Sequence, residues 1–332
     1  MLRSKTMIEG NQIQGAGKPR GTLVRIPFLR TPLVWVLVFF VLQSAGLAEA
    51  SAPTESRHRI VYRSLTAFQF NPLGLQTDVD FGYRYRLYDS HKPILSRSHL
   101  AFMAVGKLNP AYGRIGAAVV IQPLAVLKLR FDYLYRGYFG TMGMLQSYDS
   151  PMAEHSDQAR GQGKDLNINY ATSGHELKTE VILQAKYGPI AILNQLQLFY
   201  VKMNLKGSDR LFYDAYLDTL LPNEQPVIAN NAHLFYITNF GLTVGVRYSL
   251  VHAFYPKSWQ SSGASNVNTP SHRIGPMAAY TFRSRNQEFQ KPTLVVIVNW
   301  WLRNRYRTGQ ETHQAIPYGV LAFQFEGDVW GK

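Results

Sequence analysis

Basic side chains recur at a single parity within otherwise apolar stretches of the chain: Arg84, Arg86, Lys128, Arg130, Arg136, Arg247, Arg303 and Arg305. Acids occupy comparable positions at Asp78, Asp80, Asp132, Glu180, Glu326 and Asp328. On one face of an extended chain, charges so spaced can line a wet channel and sort ions by sign, with the basic set favouring anions. The same residues can instead pair across neighbouring strands and fill the space they face.

A second chemistry is considered at His175 and His252. Parity puts both on apolar faces near strand ends, with Ser173 and Ser258 close in sequence. A nucleophile needs a base within hydrogen-bond reach and a third group to orient that base. No compact His-x-Ser spacing provides this, so the two histidines read first as interfacial residues beside Tyr and Phe, and as catalytic candidates only for a lipid-acting hydrolase. The stretch "SYDSPMAEHSDQARGQGKD" holds Asp149, Glu154, His155, Asp157 and Asp165, oxygen and nitrogen donors that could meet a divalent cation. It lacks the EF-hand spacing, and no metal is expected there. With no Walker A motif, dinucleotide fingerprint or H-E-x-x-H, no cofactor is expected either.

The elements that carry these charges are strands. From about residue 59 the apolar residues alternate with polar ones at a period of two. In "LQTDVDFGYRYRLY", Val79, Phe81, Tyr83, Tyr85 and Leu87 oppose Asp78, Asp80, Arg84 and Arg86. In "VLKLRFDYLYRGY", Leu127, Leu129, Phe131, Tyr133 and Tyr135 oppose Lys128, Arg130, Asp132 and Arg136. Similar faces run through "ELKTEVILQAKY", "GLTVGVRYSLVHAFY", "LVVIVNWWLRNRY" and the closing "LAFQFEGDVWGK".

With six less regular segments, the pattern predicts twelve strands. Fourteen is the alternative if "DLNINYA" and "RLFYDAYLDTLL" add strands, although the latter could also be a loop helix. Long polar connections follow the fifth, seventh, ninth and eleventh strands, as in a membrane barrel whose odd strands run outward from a periplasmic N-terminus.

Residues 32–48 form the one strongly apolar run, preceded by Lys18, Arg20, Arg25 and Arg30 and followed by Ala48-Glu49-Ala50. That order matches a cleaved export signal covering 1–50, which leaves a short N-terminal segment at 51–58 and a barrel at 59–332. Beyond the leader the chain keeps 29 Lys and Arg against 19 Asp and Glu, a basic excess suited to lipopolysaccharide phosphates or anionic solutes. No nucleic-acid-binding motif accompanies the charge. The absence of cysteine excludes disulfides, thiolate metal sites and a cysteine nucleophile.

Lipid satisfies no bare backbone group, so a sheet spans it only when closed. A soluble core would fill its apolar faces with Val, Ile and Leu and would not admit unpaired charges opposite them. Here Tyr83, Tyr85, Tyr133, Tyr135, Tyr187 and Trp300 lie towards strand ends, as in an interfacial aromatic belt.

Over residues 59–330 the pattern resembles Gram-negative outer-membrane β-barrel proteins, and "LAFQFEGDVWGK" is similar to their terminal insertion strand, with Trp330 one step out of alternation. The resemblance implies an all-β, single antiparallel transmembrane barrel in the outer membrane of a Gram-negative bacterium. Its partners would be outer-membrane lipid, lipopolysaccharide, the barrel-assembly machinery and a small-molecule solute. The functional expectation is a porin-like channel for small, anionic solutes. The alternatives are a lipid-acting hydrolase of the phospholipase or lipid A deacylase type and a surface-binding or adhesion barrel.

Overall fold

The computed structural model describes residues 56–259, 268–284 and 286–331. The expected export signal at 1–50 lies outside them. In chain order the elements are β1 (His58–Phe70), β2 (Gly74–Arg86), β3 (His99–Leu108), β4 (Tyr112–Leu124), β5 (Leu127–Phe139), β6 (Ser147–Tyr148) and α1 (Asp157–Asp165). They continue with β7 (Ala171–Tyr187), β8 (Ile190–Met203), β9 (Leu211–Asp214), β10 (Thr219–Pro222), β11 (Pro226–Ile237) and β12 (Leu242–Ala253). The last three are β13 (Ser271–Thr281), β14 (Gln290–Arg303) and β15 (Tyr318–Gly331).

Twelve strands close on themselves in the order β1-β15-β14-β13-β12-β11-β8-β7-β5-β4-β3-β2. Every pairing is antiparallel, so closure leaves no edge and every strand backbone finds a neighbour. The alternation explains the sidedness. Along β5, Arg130, Asp132, Leu134, Arg136 and Tyr138 are buried inward, whereas Phe131, Tyr133 and Tyr135 are exposed outward. The apolar rows therefore form the outer wall, and the fold is that of Gram-negative outer-membrane barrels.

Aromatic residues ring both ends of that wall. Tyr83, Tyr187, Tyr236, Tyr280 and Trp330 lie near the end that carries both termini, and Tyr133, Tyr135, Tyr200 and Trp300 lie near the other.

The connections differ between the two ends. At the terminal end the turns are mostly tight, as at Gly188, whose φ of +55° lets a two-residue hairpin join β7 to β8. The exceptions there are the 87–98 and 282–289 connections. At the loop end the connections after β5, β8, β12 and β14 are long.

The register shifts at Ile60/Val61, Ile121/Leu124, His272/Arg273 and Gln290/Thr293, and two of these four bear on residues singled out by the sequence. One lies between Ile60 and Val61, where Ile60 faces Trp330 and Val61 faces Asp328, so Val329 is the additional residue. This accounts for Trp330 being out of alternation: the bulge keeps it on the outer wall beside Val329, both exposed. The second lies where His272 pairs with Arg303 but Arg273 pairs with Trp301.

The segment 210–221 is neither a loop helix nor a barrel strand. It forms the hairpin β9–β10, which pairs with β6 in a separate three-stranded sheet. Its Leu211, Phe212, Leu220 and Leu221, with Leu145, are essentially fully buried. They pack on inward residues of the barrel wall, Phe199, Val201, Met203, Val227, Val251 and Ala253. Lumen-facing positions are thus apolar where the plug packs on β8, β11 and β12, whereas charged ones meet it from β5. The helix α1 was not anticipated by the periodicity, because its sequence is polar all round; it is held by caps rather than by an apolar face.

Candidate functional site: a plugged, charge-lined lumen

One wall of the lumen, β2 to β7, carries three groups of ion pairs. Arg130 bridges Asp80 (2.6 Å) and Asp132 (2.7 Å). Asp132 also receives Lys178 (3.3 Å), which in turn lies 3.6 Å from Glu180. Lys107 pairs with Asp78 at 2.7 Å. Towards the loop end, Glu176 takes both Arg114 (3.2 Å) and Arg136 (3.2 Å), and Arg136 continues to Asp214 on the plug hairpin. Buried charges are costly without counter-charges and hydrogen bonds; here each of these charges has its counter-charge, while Nε of Arg114 and Nε of Arg136 find no partner.

The opposite wall, β11 to β14, is built differently. Arg247 bonds the amide oxygen of Asn231 (2.7 Å), and Arg273 stacks over Tyr318 (3.7 Å to the ring centre) and Trp301 (4.9 Å). Neither guanidinium has a carboxylate partner among the described residues.

The plug shuts the loop-end half of the barrel. Arg307, which is 2% exposed, gives Nε to Asp218 (3.1 Å) and Nη2 to both Asp218 (3.2 Å) and Asp157 (2.9 Å). A single guanidinium thereby fastens the hairpin and α1 to the β14–β15 loop. Glu311 from that loop accepts the backbone N–H groups of Asp157 (2.9 Å) and Gln158 (2.7 Å), and Ser156 caps Ala159 (3.1 Å).

Burial raises the Asp218 carboxyl, but the charges of Arg307 and Arg160 outweigh it and hold the group below its ordinary value. His155 is buried among Tyr148, Tyr213 and Tyr306, and burial pushes its ring down to about 4.

At the tip of the hairpin, Tyr216 projects into the lumen. Its neighbours are Lys178 and Arg114 on one wall and Arg247 on the other, so its 38% exposure is to the lumen rather than to bulk solvent. Below it, at the terminal end, lies a cavity of about 560 Å³ whose wall includes Arg63, Arg84, Lys128, Glu326 and Gln324. Lys128 there is grouped with Arg63 and Arg84, and Glu326 is taken by Lys291 (2.6 Å).

The structure therefore separates the residues that parity had grouped. Asp78, Asp80, Arg84, Lys128, Arg130, Asp132, Arg136, Arg247 and Glu326 face the lumen. Arg86, at the last position of β2, pairs with Asp89 (3.6 Å) in the following turn. Two residues lie elsewhere. The β13–β14 bulge pairs Arg303 with His272, whose ring bonds Tyr248 on the outer face, so Arg303 is exposed there. Arg305 lies in the loop beyond β14, where it donates to the carbonyls of Ala153 (2.9 Å) and Met152 (3.2 Å).

Sequence parity missed Arg114, Lys107, Arg273 and the Arg307 clasp. Arg114 obeys the alternation of its strand, but the surrounding Gly and Ala residues dilute the signal; the clasp joins residues 150 positions apart.

The hydrolase candidates lack the required geometry. His175 bonds the Tyr133 hydroxyl (2.9 Å) and stacks on that ring, while His252 faces the Thr269 hydroxyl (3.1 Å) and the edge of Phe254. Among the described residues no hydrogen bond joins either histidine to a serine or a carboxylate. In the 147–165 loop, Asp157 serves the clasp and Glu154 lies 3.6 Å from Arg305, so these acids answer to arginines.

No family model matches the chain, and no curated protein matches it in sequence. Solved structures similar to it are outer-membrane barrels. The translocator domain of the autotransporter NalP from Neisseria meningitidis aligns with a TM-score of 0.39 and 9% identity over 89% of this chain and 94% of that one. The CymD monoaromatic hydrocarbon channel aligns at 0.36 and 9%, covering 86% and 91%. LpxR from Salmonella typhimurium aligns at 0.36 and 10%, covering 80% and 99%. Likenesses this distant carry no functional argument, and the fold rests on the closed strand pairing itself.

Proposed function

We propose that this protein is a gated conduit for small anions across the outer membrane of a Gram-negative bacterium, exported by a cleaved leader. In this reading both termini face the periplasm and the long loops face outward. The observation that carries the proposal is the division of the lumen: a cavity of about 560 Å³ with Arg63, Arg84 and Lys128 on its wall ends beneath a plug built from the chain's own loops. A basic vestibule raises the local concentration of anions and lowers that of cations. The plug is anchored through side chains of neighbouring loops, a form of closure that releases without breaking any strand pairing of the barrel.

The test is conductance of the refolded protein in a planar bilayer. The base of the hairpin is already joined, Asn223 N–H to Arg210 C=O at 2.7 Å, so residues 210–223 can be replaced by a short linker. The intact chain should show rare openings, and the shortened one a steady, anion-preferring current. A shortened barrel that folds, judged by heat-dependent gel mobility, yet stays silent or prefers cations would overturn the proposal.

A further inference from the structure

The β11–β14 wall presents two neighbouring rungs of lumen-facing residues. In one, Arg247 pairs with Gly275, whose other side abuts Asn299, and Asn299 pairs with Tyr318. In the next, Asn231 pairs with Ser249, Ser249 with Arg273, and Arg273 with Trp301. Gly275 must be glycine, since a Cβ there would lie 2.1 Å from the Val298 carbonyl and 2.8 Å from Asn299 Cα. Gly275 thus lets β13 lie close against β14 between the two arginines.

Several buried polar atoms around Arg247 and Arg273 have no partner. Arg273 is 8% exposed and its Nε has no partner; Trp301 is 2% exposed and its Nε1 has none either. The Arg247 guanidinium is occupied only in part, by the single oxygen of Asn231, which already accepts from Ser249 (2.8 Å). Asn299 is fully buried; its amide nitrogen donates to the Arg247 carbonyl (3.5 Å) and its amide oxygen has no partner. Two buried guanidiniums repel one another, and an unpaired buried charge is costly. The paired guanidiniums across the lumen meet carboxylate oxygens, whereas these two meet none among the described residues.

We infer that the lumen-facing patch between Arg247 and Arg273 is a binding site for an oxyanion, a carboxylate or a phosphate. The forked guanidinium matches two oxygens of such a group in a way that a spherical halide cannot. Arg273 is held in place by Tyr318 and Trp301, so its fork is oriented before the ligand arrives. Tyr216 on the plug tip faces Arg247, which places the site just under the gate. The site does not depend on conduction: a barrel that binds an oxyanion there but passes no current would retire the conduit and keep the site.

Titration calorimetry on the refolded full chain in detergent, in a buffer free of other oxyanions, tests this with inorganic phosphate, acetate and chloride as separate probes. Saturable one-to-one binding of phosphate or of acetate is expected, and which of the two binds identifies the class. Arg273→Gln and Arg247→Gln should each weaken it by about tenfold or more, while Arg303→Gln on the outer wall leaves it unchanged. If Arg273→Gln fails to fold, Arg273→Lys keeps the charge, removes the fork and should still weaken binding. No oxyanion binding by a folded barrel, equal binding of chloride, or binding indifferent to both arginines would overturn the inference.

Discussion

Two walls of one lumen handle buried charge in opposite ways. On the β2–β7 side, Glu176, Asp132 and Asp80 each meet a basic partner at salt-bridge distance, and the wall pairs its charges in three groups. On the β11–β14 side, Arg247 and Arg273 meet amide oxygens and rings. The same alternation places both sets inward, so the difference comes from what stands on the adjacent strands: acids at Asp78, Asp80, Asp132, Glu176 and Glu180 on one side, and Asn231, Ser249 and Asn299 on the other. A self-neutralised wall is structural, whereas a wall with spare cations is available to a ligand. The plug contributes Asp214 to the first wall, and Arg114 of that same wall lies over its Tyr216 ring (5.8 Å).

The largest effect should come from removing the element that spans the two walls. Replacing 210–223 by a short linker is expected to raise single-channel conductance by about tenfold or more, because the described residues that fill the loop-end half belong chiefly to the plug. An unchanged current in a folded barrel would mean that some other constriction governs passage.

The walls themselves separate next. Glu176→Gln leaves Arg114 and Arg136 buried without their shared carboxylate and should destabilise the barrel by about 3–5 kcal/mol. Arg247→Gln removes a charge that had no counter-charge, so its cost should be under about 1 kcal/mol, or even a gain. Urea unfolding in detergent, followed by tryptophan fluorescence, measures both. Equal losses would show that the second wall is as self-contained as the first.

Acidification should act on the plug through His155. Burial lowers its ring to about 4, Arg305 and Arg160 push the same way, and the Ala153 carbonyl and Asp218 oppose them. In a released plug the ring would titrate near 6.5, so docking has its full stability above that pH and loses it progressively as the pH falls towards 4, by about 3 kcal/mol in all. Asp218 and Asp157 are shifted downward, and their contributions are lost only at still lower pH. Open probability should therefore rise between pH 6.5 and 5 in the intact chain and stay flat in His155→Phe. A slope that survives His155→Phe would assign the acid response to another group.

The barrel was legible in the sequence because lipid imposes one rule on every strand, and a period of two repeated twelve times is hard to imitate. The plug was not, because "RLFYDAYLDTLL" also alternates, and nothing local says that its partners are Phe199 and Val227 on the inner wall rather than lipid. The ion-pair wall was half legible: parity identifies Arg130, Asp132 and Asp80 as facing inward, but not that Arg130 bridges the two acids. The Arg273 site was hidden for a different reason. Its strand reads weakly, with Gly275 and Pro276 interrupting the pattern, and the feature that matters there is an absence of acids on three neighbouring strands.

The smallest and sharpest contrast concerns Arg303. Strict alternation in "NWWLRNRY" places it with the lumen charges, but the bulge opposite His272 moves it to the outer wall, and Arg305 is engaged by loop carbonyls. Reversing charge at Lys128, on the wall of the vestibule, should lower the anion-to-cation permeability ratio about twofold to threefold; Arg303→Glu and Arg305→Glu should leave it within error. The measurement is the reversal potential across a salt gradient on the plug-shortened barrel, where current is large enough to read. If Arg303→Glu shifts the ratio as far as Lys128→Glu does, the bulge does not turn that side chain outward in the membrane, and the division between lumen and outer wall along β14 must be redrawn.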